Sequence, residues 1–119
     1  PVDDDGKQMP FHEAEVGATG LELLLPLTLK WAREMKLPLT TALARVTSDP
    51  ARILGVKAGS LGVGAAADIC VFDPVAEYAV TRENLRSQGK NTPFLGVEFP
   101  GRVRYTLIDG HLAFDGTLA

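Results

Sequence analysis

Few side chains in this sequence could carry out chemistry, and they do not cluster along the chain. The two histidines, His12 and His111, are the residues best suited to bind zinc or to move a proton, but they lie in opposite halves. Zinc sites need several ligands in fixed geometry, so we interpret both as solvated or packing side chains. The acidic run Asp3–Asp5 could attract a hard cation, but we interpret it as a solvated loop. The sequence therefore predicts no metal site and no catalytic residue.

A cysteine and a glycine-rich passage also need an interpretation. Cys70 lies in an apolar run, which predicts a buried, unreactive thiol, and a single cysteine excludes an intramolecular disulfide. The glycines Gly59, Gly62 and Gly64 raise the question of a phosphate-binding loop. A strand is predicted after them where a phosphate loop has a helix, and no Gly-Lys-Ser/Thr is present. These glycines therefore indicate a structural turn.

Composition limits the class of protein. At 119 residues, with 45% apolar and 23% charged residues, the chain has the size and apolar content of one globular domain. The net charge of −3 argues against nucleic-acid binding, and no apolar run is long enough to span a membrane. One cysteine is compatible with the cytoplasm, where we expect the protein. The start at Pro1, without methionine, predicts a fragment of a longer protein, called the parent below.

The first half of the chain is predicted to be helical after a polar loop over residues 1–18. Thr19 and Glu22 have the spacing of a capping box, and a helix is expected from there to about Met35. Pro26 should kink this helix or reset its start. One face of the helix holds the apolar positions Leu21, Leu24, Leu25, Thr28, Leu29 and Ala32. In the parent this face would cover a neighbouring surface, so we expect Leu21, Leu24, Leu25 and Leu29 to be exposed in the chain alone.

Two shorter helices are predicted next. The first covers roughly residues 41–47, with Leu43 and Val46 pointing inward. Asp49 has the side chain of an N-cap and Pro50 suits the first helical position, so a second helix should open there. Gly55 can end that helix in a left-handed conformation.

The second half is predicted to be β-structure. Strands are expected at 68–73, which should be buried and ended by Asp73-Pro74, and at 77–81, with an irregular stretch over 82–100. Two further strands, 103–108 and 111–114, flank Asp109-Gly110, a strong signal for a two-residue hairpin. Because the helices precede the strands and do not alternate with them, two segregated substructures are predicted.

Three stretches of the chain resemble one family. The run from Gly59 to Pro74 fits the pattern Gly-x-Leu-x-x-Gly-x-x-Ala-Asp-(apolar)₄-Asp-Pro. Residues 91–96 are Asn-Thr-Pro-Phe-Leu-Gly, and residues 17–22 are Gly-Ala-Thr-Gly-Leu-Glu. Together they resemble the C-terminal part of the dihydroorotases, cyclic amidohydrolases of the metal-dependent amidohydrolase superfamily.

The resemblance implies an α/β parent that consists of a metal-dependent hydrolase TIM barrel and a composite β-sandwich. Residues 1–56 would form the last barrel loop and helices, and residues 57–119 would supply C-terminal strands of the sandwich. The family's metal ligands would lie before Pro1, so zinc is implied for a catalytic parent and no cofactor for this chain. Val2 matches a family histidine that binds the substrate carboxylate, which puts catalysis by the parent in doubt.

The resemblance also implies one contact with substrate. The family's backbone contacts the pyrimidine ring at the positions of Val16 and Gly17, which makes them candidate substrate-binding residues. An ordinary loop before a helix is an equally good interpretation.

Three functional hypotheses follow. The first is a dihydroorotase, which interconverts N-carbamoyl-L-aspartate and dihydroorotate in pyrimidine biosynthesis, with this chain inactive alone. The second is a noncatalytic dihydroorotase-like subunit that associates with aspartate carbamoyltransferase. The third is an independent β-rich binding module. Expected partners are the remainder of the parent and further copies of it, and neither nucleic acid nor membrane is expected.

Overall fold

The computed structural model describes residues 4–117, and in this part helices precede strands as predicted. The elements are α1 (Asp4–Lys7), a 3₁₀ turn (Leu21–Leu23), α2 (Leu24–Glu34), α3 (Leu39–Ala44), α4 (Ser48–Leu54), β1 (Ile69–Ala79), β2 (Glu98–Ile108) and β3 (His111–Asp115). The prediction of a continuous loop over residues 1–18 was wrong, because α1 forms a single helical turn within it. None of the helices in residues 4–117 is both long and apolar enough to cross a membrane.

Pro26 determines where the main helix begins. The predicted helix is divided into the 3₁₀ turn and α2, and Pro26 lies in the first turn of α2. A missing N–H costs no helical hydrogen bond there, so the proline resets the start of the helix, as expected. The prediction of a capping box at Thr19 and Glu22 was wrong, because Gly20 is the N-cap of the 3₁₀ turn and no side chain caps it.

The two short helices follow the prediction in number but not in detail. α3 ends before the predicted boundary and buries Ala42, while Leu43 and Val46 are only half-buried. Thr47, and not Asp49, is the N-cap of α4. The Asp49 carboxylate instead accepts hydrogen bonds from Arg45, at 2.8 Å, and Arg52, at 2.9 Å.

The end of α4 is as predicted. Gly55 has φ +69° and closes the helix in the left-handed region, where a side chain is disfavoured.

The three strands form an antiparallel sheet in the order β1-β2-β3. The two strands expected over 68–81 are one strand with a bulge between Asp73 and Glu77, so Asp73-Pro74 does not end it. Asp73 Oδ1 accepts the N–H groups of Val75 and Ala76 at 3.0 and 3.1 Å. These contacts replace ladder bonds at the bulge, so the strand continues beyond it.

The predicted hairpin between β2 and β3 is confirmed. Asp109 and Gly110 have φ values of +48° and +79°, which are the conformations that a tight two-residue hairpin turn requires.

One end of the sheet carries the core. Leu23, Val80, Leu85 and Phe99 are buried together, and the rings of Phe94 and Phe99 meet edge to face at 5.7 Å.

The other end of the sheet lacks a covering layer from the described residues, and Val71, Ile108 and Leu112 are exposed there. The radius of gyration, 16.3 Å, exceeds the roughly 13.5 Å of a compact domain of this length. The prediction that the strand around Cys70 is buried was therefore wrong for this chain.

Candidate functional site

The candidate substrate-binding residues lie in the loop between α1 and the 3₁₀ turn. Val16 and Gly17 are both exposed, and Gly17 has φ +109°, a conformation that favours glycine. On its N-terminal side the loop folds back onto α1, because Glu15 N–H donates to the Gly6 carbonyl at 3.0 Å. The Lys7 ammonium group donates a further hydrogen bond to the Glu15 carbonyl. The structure therefore places both residues in an accessible, locally anchored loop.

On its C-terminal side the loop is bound to residues 86–91, a segment called the bracing loop below. The Asn91 side-chain Nδ2 donates to the Gly17 carbonyl at 3.2 Å. The backbone N–H of Thr19 donates to the Asn91 carbonyl at 2.6 Å, and its hydroxyl donates to the Gly89 carbonyl at 2.8 Å. Thr19 and Gly89 are buried, so the two Thr19 bonds are protected from water, whereas the Asn91–Gly17 bond is exposed. The bracing loop thus holds the backbone from Gly17 to Thr19 in one arrangement.

Glu22 adds the next contact with the bracing loop. Its carboxylate accepts the backbone N–H groups of Arg86 and Ser87, each at 2.9 Å. Partial burial raises the pKa of Glu22, but these hydrogen bonds, the Ser87 hydroxyl and the charge of Lys90 together hold the pKa below its ordinary value of 4.5. Glu22 is therefore a structural anion whose hydrogen bonds favour the charged form.

Sequence reasoning missed this arrangement because its partners are distant in the chain. The spacing of Thr19 and Glu22 is that of a capping box, whereas both side chains bind residues 64 to 70 positions away. The one available signal was the resemblance itself, which singled out residues 17–22 and 91–96. The structure brings these two stretches into contact through Gly17 and Asn91.

The other candidate residues do not assemble into a site. His12 is exposed and pairs with its neighbour Glu13 at 3.1 Å, and His111 is exposed at the start of β3. In the acidic run Asp5 is exposed, whereas Asp3 lies outside the described residues. Across residues 4–117 no three His, Cys, Asp or Glu side chains converge to hold a metal ion. The described residues therefore do not fit a zinc site.

Cys70 also departs from its prediction. Cys70 is exposed at the surface, but neighbouring atoms partly desolvate its thiol and raise its pKa, with a smaller opposing effect from a hydrogen bond to Thr106. A raised pKa keeps the thiol protonated at neutral pH, so Cys70 is a poor nucleophile despite its exposure.

The Gly59 to Pro74 stretch has structural contacts. The Ala67 carbonyl accepts the N–H of Gly110 at 3.1 Å, and Asp68 Oδ1 accepts the N–H of Asp109 at 2.8 Å. These residues therefore fasten the β2–β3 turn. Gly59 has φ +74°, and a Cβ there would come within 2.8 Å of the Ser48 backbone, so this glycine turn packs on the start of α4.

An open depression of about 410 Å³ lies between α2, α3 and the bulge of β1. Arg33 crosses its edge, donating to the Pro74 carbonyl and to Glu77, each at 2.9 Å. The other residues that line the depression are mainly apolar, and Arg33 is already paired with Glu77. We therefore assign no chemistry to this depression.

Comparison with known proteins identifies relatives along nearly the whole chain. The model described as Amidohydrolase family matches residues 18–114. The chain is 47% identical over 116 residues to a dihydroorotase-like protein from Pseudomonas aeruginosa, which covers 98% of this chain and 27% of that protein. It is 43% identical over 106 residues to a dihydroorotase from Geotalea daltonii, covering 89% and 25% respectively.

The fold is also found in solved structures. An L-hydantoinase (dihydropyrimidinase) from Arthrobacter aurescens matches with a TM-score of 0.77 and 29% identity, over 87% of this chain and 24% of that one. The chain thus spans about a quarter of the length of the relatives it matches.

Proposed function

Because this chain belongs to the amidohydrolase family, we propose that it is part of a longer hydrolase of cyclic amides, and specifically of a dihydroorotase. The parent interconverts N-carbamoyl-L-aspartate and dihydroorotate in pyrimidine biosynthesis. The observation that carries the proposal is the similarity, across nearly the whole chain, to proteins named dihydroorotase or dihydroorotase-like.

Within that parent, the proposed role of this chain is to build one side of the substrate site and to stabilise the fold. The loop at Val16 and Gly17 is exposed and anchored, which suits backbone hydrogen bonds to a cyclic amide. Residues 1–56 would complete the barrel, and residues 57–119 would add strands to the composite sandwich. The uncovered end of the sheet supports this arrangement, because strands need a second apolar layer.

Hydrolysis of a cyclic amide also needs an activated water and a group that moves a proton. The residues described here do not fit a metal site, so the remainder of the parent would provide the zinc and its ligands. We therefore propose that this chain alone is inactive.

The full-length parent gives the direct test. We expect purified parent to contain zinc and to convert dihydroorotate to N-carbamoyl-L-aspartate, while the 119-residue chain alone does neither. Hydantoin serves as the comparison substrate. If a zinc-loaded parent hydrolyses hydantoin but not dihydroorotate, the proposed substrate is wrong and the proposed reaction, hydrolysis of a cyclic amide, still holds.

The second candidate is a noncatalytic scaffold subunit bound to aspartate carbamoyltransferase. Two observations favour it: by the resemblance, Val2 stands at the position of the family's carboxylate-binding histidine, and two similar proteins are named dihydroorotase-like. Val2 lies outside the described residues, so its support comes from the sequence. A parent without zinc or activity that co-purifies with aspartate carbamoyltransferase at a fixed ratio would establish this candidate.

A further inference from the structure

Within residues 4–117, the Asn91 side chain bonds the bracing loop to residues 16–18, called the substrate loop below. Its Nδ2 donates to the Gly17 carbonyl, and its own carbonyl accepts the N–H of Thr19. Asn91 therefore binds the loop at two points on either side of Ala18. With Thr19 buried and bound to Gly89, the short stretch between these points has little freedom to rotate.

This arrangement leaves a defined set of backbone groups unused. Among the described residues, nothing bonds the Gly17 N–H or either backbone group of Val16 and Ala18, and all three residues are exposed. In a trans peptide the carbonyl and the following N–H point in opposite directions. Because Asn91 holds the Gly17 carbonyl, the Ala18 N–H must point away from the bracing loop.

We propose that Asn91 is a positioning residue for the substrate loop, acting through Gly17 to aim the free backbone groups of Val16, Gly17 and Ala18 at a cyclic amide. The inference rests on the proposed function, since it assumes that this loop meets the substrate. It gives a role to the Asn-Thr-Pro-Phe-Leu-Gly stretch, which the sequence singled out without assigning one. Thr19 supports Asn91 in this role, because the Thr19 hydroxyl donates to the Gly89 carbonyl and so holds the bracing loop against the substrate loop.

The test uses the full-length parent with Asn91→Ala and Asn91→Asp. The aspartate is nearly isosteric but cannot donate, and its charge would face the Gly17 carbonyl, so it should be the worse variant. Asn91→Gln keeps the amide donor on a longer side chain and should restore part of the effect. Asn84→Ala is the matched control, because Asn84 also binds backbone groups, at Ala79 and Thr81, but does not contact the substrate loop.

The first readout is hydrogen exchange across residues 16–20, which requires no activity. The Thr19 N–H is bonded to a carbonyl that the substitutions leave in place. Its exchange should accelerate about 2- to 12-fold in Asn91→Ala, the range expected for one neutral hydrogen bond, and should not change in Asn84→Ala. Unchanged exchange at Thr19 in both Asn91→Ala and Asn91→Asp would overturn the proposal.

The second readout is the affinity for dihydroorotate, measured by calorimetry, together with KM and kcat. We expect weaker binding and a higher KM in Asn91→Ala, with zinc content and melting temperature matching Asn84→Ala. Faster exchange with unchanged affinity would confine Asn91 to a structural role and reject positioning. If the wild-type parent does not bind dihydroorotate, the proposed substrate fails, while the exchange experiment still decides whether Asn91 orders the loop.

Discussion

Leu29 of α2 lies directly against Gly101 of β2, so closely that a side chain at position 101 would occupy the space of the leucine Cδ1 methyl group. Gly101 has φ +98°, and Leu29 is only 3% exposed. The contact joins the helical half of the chain to the sheet. It also corrects the expectation that Leu29 belongs to an exposed helix face, since β2 covers it within the same chain.

Replacing Gly101 should therefore be strongly destabilising. Gly101→Ala combines a disfavoured positive φ with overpacking against Leu29, and we expect the free energy of unfolding of the parent to fall by about 2–5 kcal/mol. Gly62→Ala is the control, because a Cβ there meets nothing within 4 Å. Urea unfolding measures both, and because Leu29→Ala removes the clash, the loss in the double variant with Gly101→Ala should be smaller than the sum of the two single losses. Equal stability of the two alanine variants would contradict the close contact.

Phe99 should be the most costly aromatic residue to remove from the core. It is 1% exposed and packs edge to face with Phe94, so Phe99→Ala should destabilise the parent by about 3–5 kcal/mol. Phe11 is 99% exposed, and Phe11→Ala should change stability by less than about 0.5 kcal/mol. Thermal unfolding of the pair provides the comparison. A large loss in Phe11→Ala would mean that the parent buries this residue.

Glu22 should contribute a pH-dependent part of the stability. Its pKa is lower in the folded chain than the ordinary 4.5, so its contribution is complete above that pH and is lost as the pH falls through the folded pKa. We expect Glu22→Gln to be less stable than wild type at pH 7. The difference should shrink below pH 4.5, where a protonated Glu22 resembles glutamine. Urea unfolding from pH 7 to pH 3 measures this, and a difference independent of pH would contradict the charged hydrogen bonds.

The 119-residue chain without the rest of the parent should not persist as a monomer. Leu21 is 88% exposed and Leu24 is exposed beside it, and β1 and β3 are edge strands of the described sheet. Such surfaces favour self-association or strand exchange. Light scattering and urea unfolding at micromolar concentration test this. A monodisperse monomer that unfolds cooperatively would favour the independent β-rich binding module.

Val2 allows a test of lost function in the parent. If the parent keeps its zinc, Val2→His should raise kcat/KM for dihydroorotate, because a charge-assisted hydrogen bond to the substrate carboxylate is worth about 1.5–3 kcal/mol. Val2→Leu is the control for a change of size without charge. No improvement in a zinc-loaded Val2→His parent would show that another residue binds the carboxylate.

Features set by local backbone geometry could be predicted from the sequence. Asp109-Gly110 forms the expected hairpin turn, Gly55 ends α4 in the left-handed region, and Pro26 resets the start of α2. In each case the residue type restricts φ or removes an N–H, so the outcome depends on few neighbours. The family resemblance could also be recognised, because it lies in short contiguous patterns.

Features that depend on distant partners were decided only by the tertiary structure. Thr19 and Glu22 have the spacing of a local cap, but the bracing loop offers them buried or charge-assisted hydrogen bonds from 64 to 70 positions away. Leu29 is buried because β2 carries a glycine beneath it, and Cys70 is exposed because no described element covers that end of the sheet. The type of a side chain limits which contacts it can make. Which of those contacts forms depends on the surface that the folded chain brings next to it.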